Sequence, residues 1–162
     1  MRREALKLIL GGFALAAVAG CGFQLRGKDS IPYRSLYIDA PETSAAAKLL
    51  AQSLRSRGVT VMDAAKAADA TLKLTQEQEN RTVLALSGGG RVREYRLNYG
   101  LSYQLVDKDA QEILPLTTIQ QSRDFTYDDD RYLAKTAEEN FLFRDLRDDA
   151  VQQIVRHLSR IK

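Results

Sequence analysis

An α+β sandwich of two layers, with two helices on one face of a sheet, is the fold this sequence predicts. Three observations carry it. The stretch "EYRLNYGLSYQLVD" places Tyr95, Leu97, Tyr99, Leu101, Tyr103 and Leu105 at every second position, which puts all six on one face of a strand. Two other segments carry apolar residues at helical spacing and have helix caps. The order of elements is β, α, three long β segments, α, and such a sheet must cover its apolar face with the helices. At 162 residues, 44% hydrophobic and 28% charged, the chain is long enough for one domain with a real core.

"SLYIDA" is the first short strand, with Leu36 and Ile38 on one face, and Pro41 ends it. The hydroxyl of Thr43 or Ser44 caps the helix "AAAKLLAQSLRSR", which buries Ala46, Leu49, Leu50 and Leu54 and stops at Gly58. A few extended residues, "VTVM", and an Ala-rich connection follow. "ATLKLTQEQENRTVLAL" is extended, and its start alternates Leu72 and Leu74 with Lys73 and Thr75. "SGGGR" is then a hairpin turn or a flexible loop. After the central strand, "DKDAQE" turns the chain into a long partner, "ILPLTTIQQSRDFTYD". Pro115, which cannot donate to a ladder, stands near its start. The last segment is a helix with Leu133, Ala137, Phe141, Leu146, Ala150, Ile154 and Leu158 as its stripe. Asp128, Asp129 and Asp130 at its start, and Arg156, Arg160 and Lys162 at its end, complement the helix dipole.

The first twenty residues stand apart. In "MRREALKLILGGFALAAVAGC", Arg2, Arg3 and Lys7 make a positive end, Leu8 to Ala19 an apolar core, and Val18, Ala19 and Gly20 the small residues before a cut. A core of about a dozen residues is too short to span a bilayer as a helix. The chain's single cysteine, Cys21, would then be the first mature residue. An unmodified thiol there would lie exposed in an oxidising compartment, so a lipidated cysteine is the better reading. One acyl chain holds a protein reversibly, and two or more moor it. The expected organisation is a removed signal peptide at 1–20, a lipid-anchored segment at 21–34 and a single domain at 35–162.

Charge and catalytic residues exclude more than they suggest. The net charge is +3, but three of the 24 basic and one of the 21 acidic residues lie in the first twenty, leaving +1. That balance gives no argument for a nucleic-acid partner. A lone cysteine forms no internal disulfide and no cysteine-rich zinc site. The only histidine, His157, sits beside Arg156 in a charged terminal turn, where it reads as solvent-facing or dipole-paired rather than as a catalytic base. The aspartates at 128–130 lack the spacing of a calcium loop, and "SGGGR" lacks the ending of a phosphate-binding loop. No catalytic and no metal site is expected. Basic residues gather near the glycine loop instead: Arg81 before it, Arg91, Arg93 and Arg96 after it, and Lys135 at the opening of the last helix. Arginine forks suit phosphates. The other strand face, Arg96, Asn98, Gly100, Ser102 and Gln104, is polar and stays uncovered if both helices lie on the Tyr/Leu side.

Taken together, "CGFQLRG" at the cysteine, "EYRLNYGLSYQLVD", "RDFTYD", and "LAK", "DLR" and "DAVQQIVRHL" in the last helix resemble the lipopolysaccharide-assembly lipoprotein family, LptE. The resemblance covers nearly the whole chain. It implies two helices on a four-stranded mixed sheet and no enzymatic activity. It implies N-acyl and S-diacylglycerol groups on Cys21, with no other cofactor. Gly22 after the cysteine implies sorting to the outer membrane. The resemblance also implies partners: the outer-membrane barrel LptD, within which such a protein sits facing the periplasm, and lipopolysaccharide, which it binds during insertion into the outer leaflet. Lys135 matches a basic family position for that binding. The loop departs from the family at Gly88, so Arg91 and Arg93 stand as neighbouring substitutes. Two other readings are another outer-membrane lipoprotein that scaffolds envelope assembly, and a lipid-anchored periplasmic hydrolase.

Overall fold

A computed structural model describes residues 31–161; Cys21 and the signal segment 1–20 lie outside the described residues. Strand β1 (Ser35–Asp39) leads into helix α1 (Ala45–Ser56), then strand β2 (Thr60–Met62) and the long strands β3 (Ala70–Leu86), β4 (Val92–Asp107) and β5 (Glu112–Thr126). A single 3₁₀ turn (Asp129–Arg131) opens helix α2 (Tyr132–Leu158). The sheet is mixed and runs β2-β1-β3-β4-β5: β1 is parallel to both β2 and β3, and the three long strands form an antiparallel meander.

The sheet therefore has five strands, not the four expected. The extra strand is the last three residues of "VTVM", paired Ser35↔Thr60 to Tyr37↔Met62. Three residues are too few to show a period, and the pairing is set by the β1–α1–β2 crossover rather than by local pattern. α1 itself follows its sequence signals closely. Ser44 Oγ accepts from Ala47 N–H at 3.0 Å as the N-cap. At the other end Gly58, at φ +86°, lets its own N–H reach the Arg55 carbonyl and the Val59 N–H reach that of Leu54, a paired closure of the last turn.

The core lies between the helices and one sheet face. Leu36, Leu72, Leu97, Leu101, Tyr103 and Leu105 pack there against Leu50 and Leu54 of α1 and Leu146, Ile154 and Leu158 of α2. The expected stripe of α2 holds only from Leu146 onward. Leu133 is 82% exposed and Phe141 54% exposed. The five-residue step from Phe141 to Leu146 turns the stripe by about 140° around the helix, so its two halves lie on different faces. In the first turns the partly covered side carries Lys135, Glu139 and Leu142 instead.

A β-bulge divides β3. Leu74 pairs with Tyr103 and Gln76 with Ser102, so Thr75 is an extra residue. Before it, Leu72 and Leu74 face the core. Beyond it, the parity inverts: Glu77, Glu79 and Arg81 stand opposite Leu101, Tyr99 and Leu97 on the helix side, and Gln76, Gln78 and Asn80 fall on the open face.

Candidate functional site

The end of the sandwich at the β3–β4 loop gathers the cations. Gly90, at φ +78°, closes this loop by donating to the Ser87 carbonyl, and Ser87 Oγ accepts from Arg91 N–H at 3.1 Å. Arg91 and Arg93 leave the loop exposed and line a depression of about 110 Å³ with Tyr127 and Asp128, Asp129 and Asp130. Asp128 does not cap α2, as expected, but the 3₁₀ turn before it, accepting from Asp130 N–H at 3.1 Å. The helix instead starts on Arg131, with no side-chain cap.

Lys135 stands at this same end. Its ammonium lies 5.3 Å from the Phe125 ring centroid and 2.9 Å from Glu138 Oε2, and its side chain is 15% exposed. Phe125 pairs across the ladder with Tyr95, two residues from Arg93. Tyr95 and Tyr127 meet edge to face, their centroids 5.3 Å apart. The Arg81 guanidinium covers Tyr95 at 4.7 Å and binds Glu139 at 2.9 Å. Partial burial, then the charge of Asp129, pushes the Tyr127 hydroxyl above its ordinary range. The structure thus brings Arg91, Arg93 and Lys135 to one end. Arg91 and Arg93 are solvent-exposed, while Lys135 is held by Glu138 and Phe125.

The open face of β3, β4 and β5 is polar through its middle, from Arg96 to Gln104 on β4. Arg96 makes a two-pronged pair with Asp124 at 2.7 and 3.0 Å, raising the guanidinium pKa and lowering that of the carboxyl. Asn98 donates to Asn80 at 3.1 Å, Ser102 and Thr118 share a hydrogen bond at 2.9 Å, and Gln104 donates to Glu112 at 2.9 Å.

A second polar centre, hidden from sequence reading, ties the layers together. Glu77 accepts from Ser44 Oγ at 2.6 Å, Ala46 N–H at 3.2 Å and the Tyr99 hydroxyl at 3.0 Å, and its Oε1 lies 3.5 Å from Arg147 Nε. Arg147 also pairs with Glu79. Burial and the Glu77 charge push the Tyr99 phenol far above its ordinary range. Arg147 loses by burial and gains more from Glu79, so its pKa is raised. No period signals this cluster, because the bulge at Thr75 is what turns Glu77 and Glu79 inward. His157 was also misread: its Nδ1 is hydrogen-bonded to the hydroxyl of Tyr103, a residue of the core. The signal that could have found it is the pairing of a lone histidine with a strand of inward tyrosines.

Among the described residues no helix is long and apolar enough to cross a membrane, and no group of His, Cys, Asp or Glu is placed to hold a metal ion.

Known proteins share both this sequence and this architecture. A lipoprotein B from Nitrosomonas europaea superimposes with TM-score 0.75 at 34% identity, covering 85% of this chain and 90% of its own. The rare lipoprotein B from Shewanella oneidensis gives TM-score 0.68 at 26% identity, over 77% of this chain and 93% of its own. The LPS-assembly lipoprotein LptE of Photorhabdus laumondii is 30% identical over 161 residues, 98% of this chain and 87% of that protein. The protein of the same name from Yersinia pestis is 32% identical over 162 residues, 98% of this chain and 77% of its own length. The last two are named as assembly lipoproteins and the first two simply as lipoproteins. The family described as LptE, lipopolysaccharide-assembly, matches residues 33–158, and with a sheet, two helices and relatives aligned over 98% of this chain all in agreement, this chain belongs to it.

Proposed function

We propose that this chain is an outer-membrane lipoprotein, moored through acyl groups on Cys21 and facing the periplasm. In this reading it sits inside the barrel of an LptD-type partner, supports assembly of that barrel, and binds lipopolysaccharide on its way to the outer leaflet. One observation carries the reading. The middle of the sheet face that the helices leave uncovered is hydrogen-bonding and electrically balanced, Arg96 against Asp124, and the exposed apolar side chains stand away from it, at the β3–β4 hairpin end, at Leu116 and on the first turns of α2. A body of that kind fits the polar lumen of a membrane barrel and has no need of lipid contact along its length.

The cationic loop end supports the lipid-binding half. Lipid A presents phosphates, and an arginine fork meets a phosphate with two parallel hydrogen bonds. Arg91 and Arg93 are exposed at that end. Lys135 can join them if its ammonium exchanges Glu138, itself half exposed, for phosphate.

The test is a pull-down of lipopolysaccharide with the full chain carrying Lys135→Asp and Arg91→Asp together. Expected are a clear loss of bound glycolipid, increasing salt weakening the wild-type interaction, and undiminished co-purification of a large β-barrel. Retention of glycolipid by the double variant would remove these residues from the reading. Absence of a barrel in the wild-type preparation would remove the plug.

A further inference from the structure

The open sheet face has a trough at its centre, made by a residue with no side chain. Gly100 on β4 lies between Gln78 of β3 and Gln120 of β5, its two ladder partners. With Asn80, Asn98 and Ser122 these residues bound a space of about 490 Å³, a size typical of small-ligand sites. A Cβ built on Gly100 meets nothing within 4 Å. The floor is therefore open because the residue is glycine, not because the backbone demands one.

Its chemistry is narrow. Each carboxamide offers both an acceptor oxygen and a donor NH₂. Among the described residues, the side chains of Gln78, Gln120 and Ser122 make no hydrogen bond of their own, while Asn98 and Asn80 are oriented by each other. The closest charges on this face, Arg96 and Asp124, neutralise one another. An anionic or cationic ligand would lose hydration here and find no free counter-charge. A peptide would find no apolar recess for its side chains. A ligand that is uncharged, yet donor and acceptor at every edge, is matched on all counts, and vicinal sugar hydroxyls have that property.

We propose that the Gly100 trough seats uncharged sugar of a glycolipid, specifically the saccharide portion of lipopolysaccharide. This deepens the function proposed above and rests on it for the identity of the glycolipid. It separates two tasks along one strand: phosphates at Arg91 and Arg93, and sugar about 23 Å further along β4, seven residues at the usual rise. Without an aromatic platform the binding is weak, with a dissociation constant of about 1 mM.

The experiment titrates the isotope-labelled full chain with a delipidated, dephosphorylated core oligosaccharide up to about 10 mM, ten times the expected dissociation constant, and reads amide chemical shifts. Signals of Gln78, Asn98, Gly100 and Gln120 are expected to move and saturate. Gly100→Val puts its Cβ into open space and suits a strand; with an unchanged far-ultraviolet spectrum, it should abolish these shifts while leaving binding to lipid A vesicles intact. Gln120→Ala is a gentler second variant and should weaken the oligosaccharide about fivefold. No shift at the trough, unchanged shifts in Gly100→Val, or equal shifts with a neutral peptide would each overturn the proposal. Trough shifts that persist while lipid A vesicles fail to bind would support the trough and count against the phosphate site alone.

Discussion

Glu77 of β3 receives the hydroxyl of Ser44 at 2.6 Å, so a strand carboxylate completes the cap of a helix whose start, at Ser44 and Ala46, lies 33 and 31 residues before it in sequence. The same group holds Tyr99 and faces Arg147. A single side chain thereby joins both helices to the central strand.

Removal of that carboxylate should be costly. Glu77→Ala leaves the α1 N-terminus half-capped, the Tyr99 hydroxyl without its partner and Arg147 with Glu79 alone. A loss of about 3 kcal/mol is expected, from about 1 for the cap and the rest for charged hydrogen bonds. Glu77→Gln, which keeps an acceptor, should lose less. Urea denaturation of the two variants beside the wild type measures both.

Alkaline stability should depend on Tyr99. Its phenol pKa is raised in the folded state, by burial first and by Glu77 second. A raised pKa means stability that is whole below the unfolded value, 10.0, and that falls as pH climbs above it. Tyr99→Phe should start less stable but lose less between pH ~9 and ~11. The slope should not vanish, because Tyr33, Tyr103 and Tyr127 are shifted the same way. Melting temperature against pH is the readout, and identical slopes would contradict the assignment.

The two halves of α2 should respond oppositely to truncation. Leu146→Ala removes a side chain that is 1% exposed and should cost about 2–5 kcal/mol. Leu133→Ala and Phe141→Ala, on the outer face, should each stay within about 0.5 kcal/mol. Thermal denaturation of the three distinguishes this from a helix buried along its whole length.

The N-terminal reading has a direct check. Intact mass of membrane-extracted protein should equal residues 21–162 plus diacylglyceryl and one acyl chain, and Cys21→Ser should abolish the added mass. An unmodified chain that still begins at residue 1 would overturn the anchor.

What the sequence disclosed, and what it withheld, divides along the range of the forces involved. β4 was legible because its two faces meet opposite surroundings, core and open polar face, for six alternations without interruption. α1 was legible because Ser44 and Gly58 are local signals for local geometry. β2 was not, since a three-residue strand exists only through its parallel neighbour. The clustering of Arg91, Arg93 and Lys135 at one end followed from strand order alone, but the attachment of Lys135 to Glu138 and Phe125 needed the packing of α2 across β5. Glu77 was invisible for a stricter reason: alternation counted from Leu72 and Leu74 assigns it to the wrong face unless Thr75 is skipped.

That one surplus residue makes the long meander a device that counts. Glu77 and Glu79 keep their side only while the number of residues between Leu74 and each of them keeps its parity. An excision of one residue there would swap carboxylates for carboxamides beneath α2 and leave the lock on α1 empty, whereas an excision of two would merely shorten the hairpin. Length beside Thr75 can therefore drift only in pairs, whereas nearer the loop the hairpin already absorbs odd steps, past Val83 and again past Ala85.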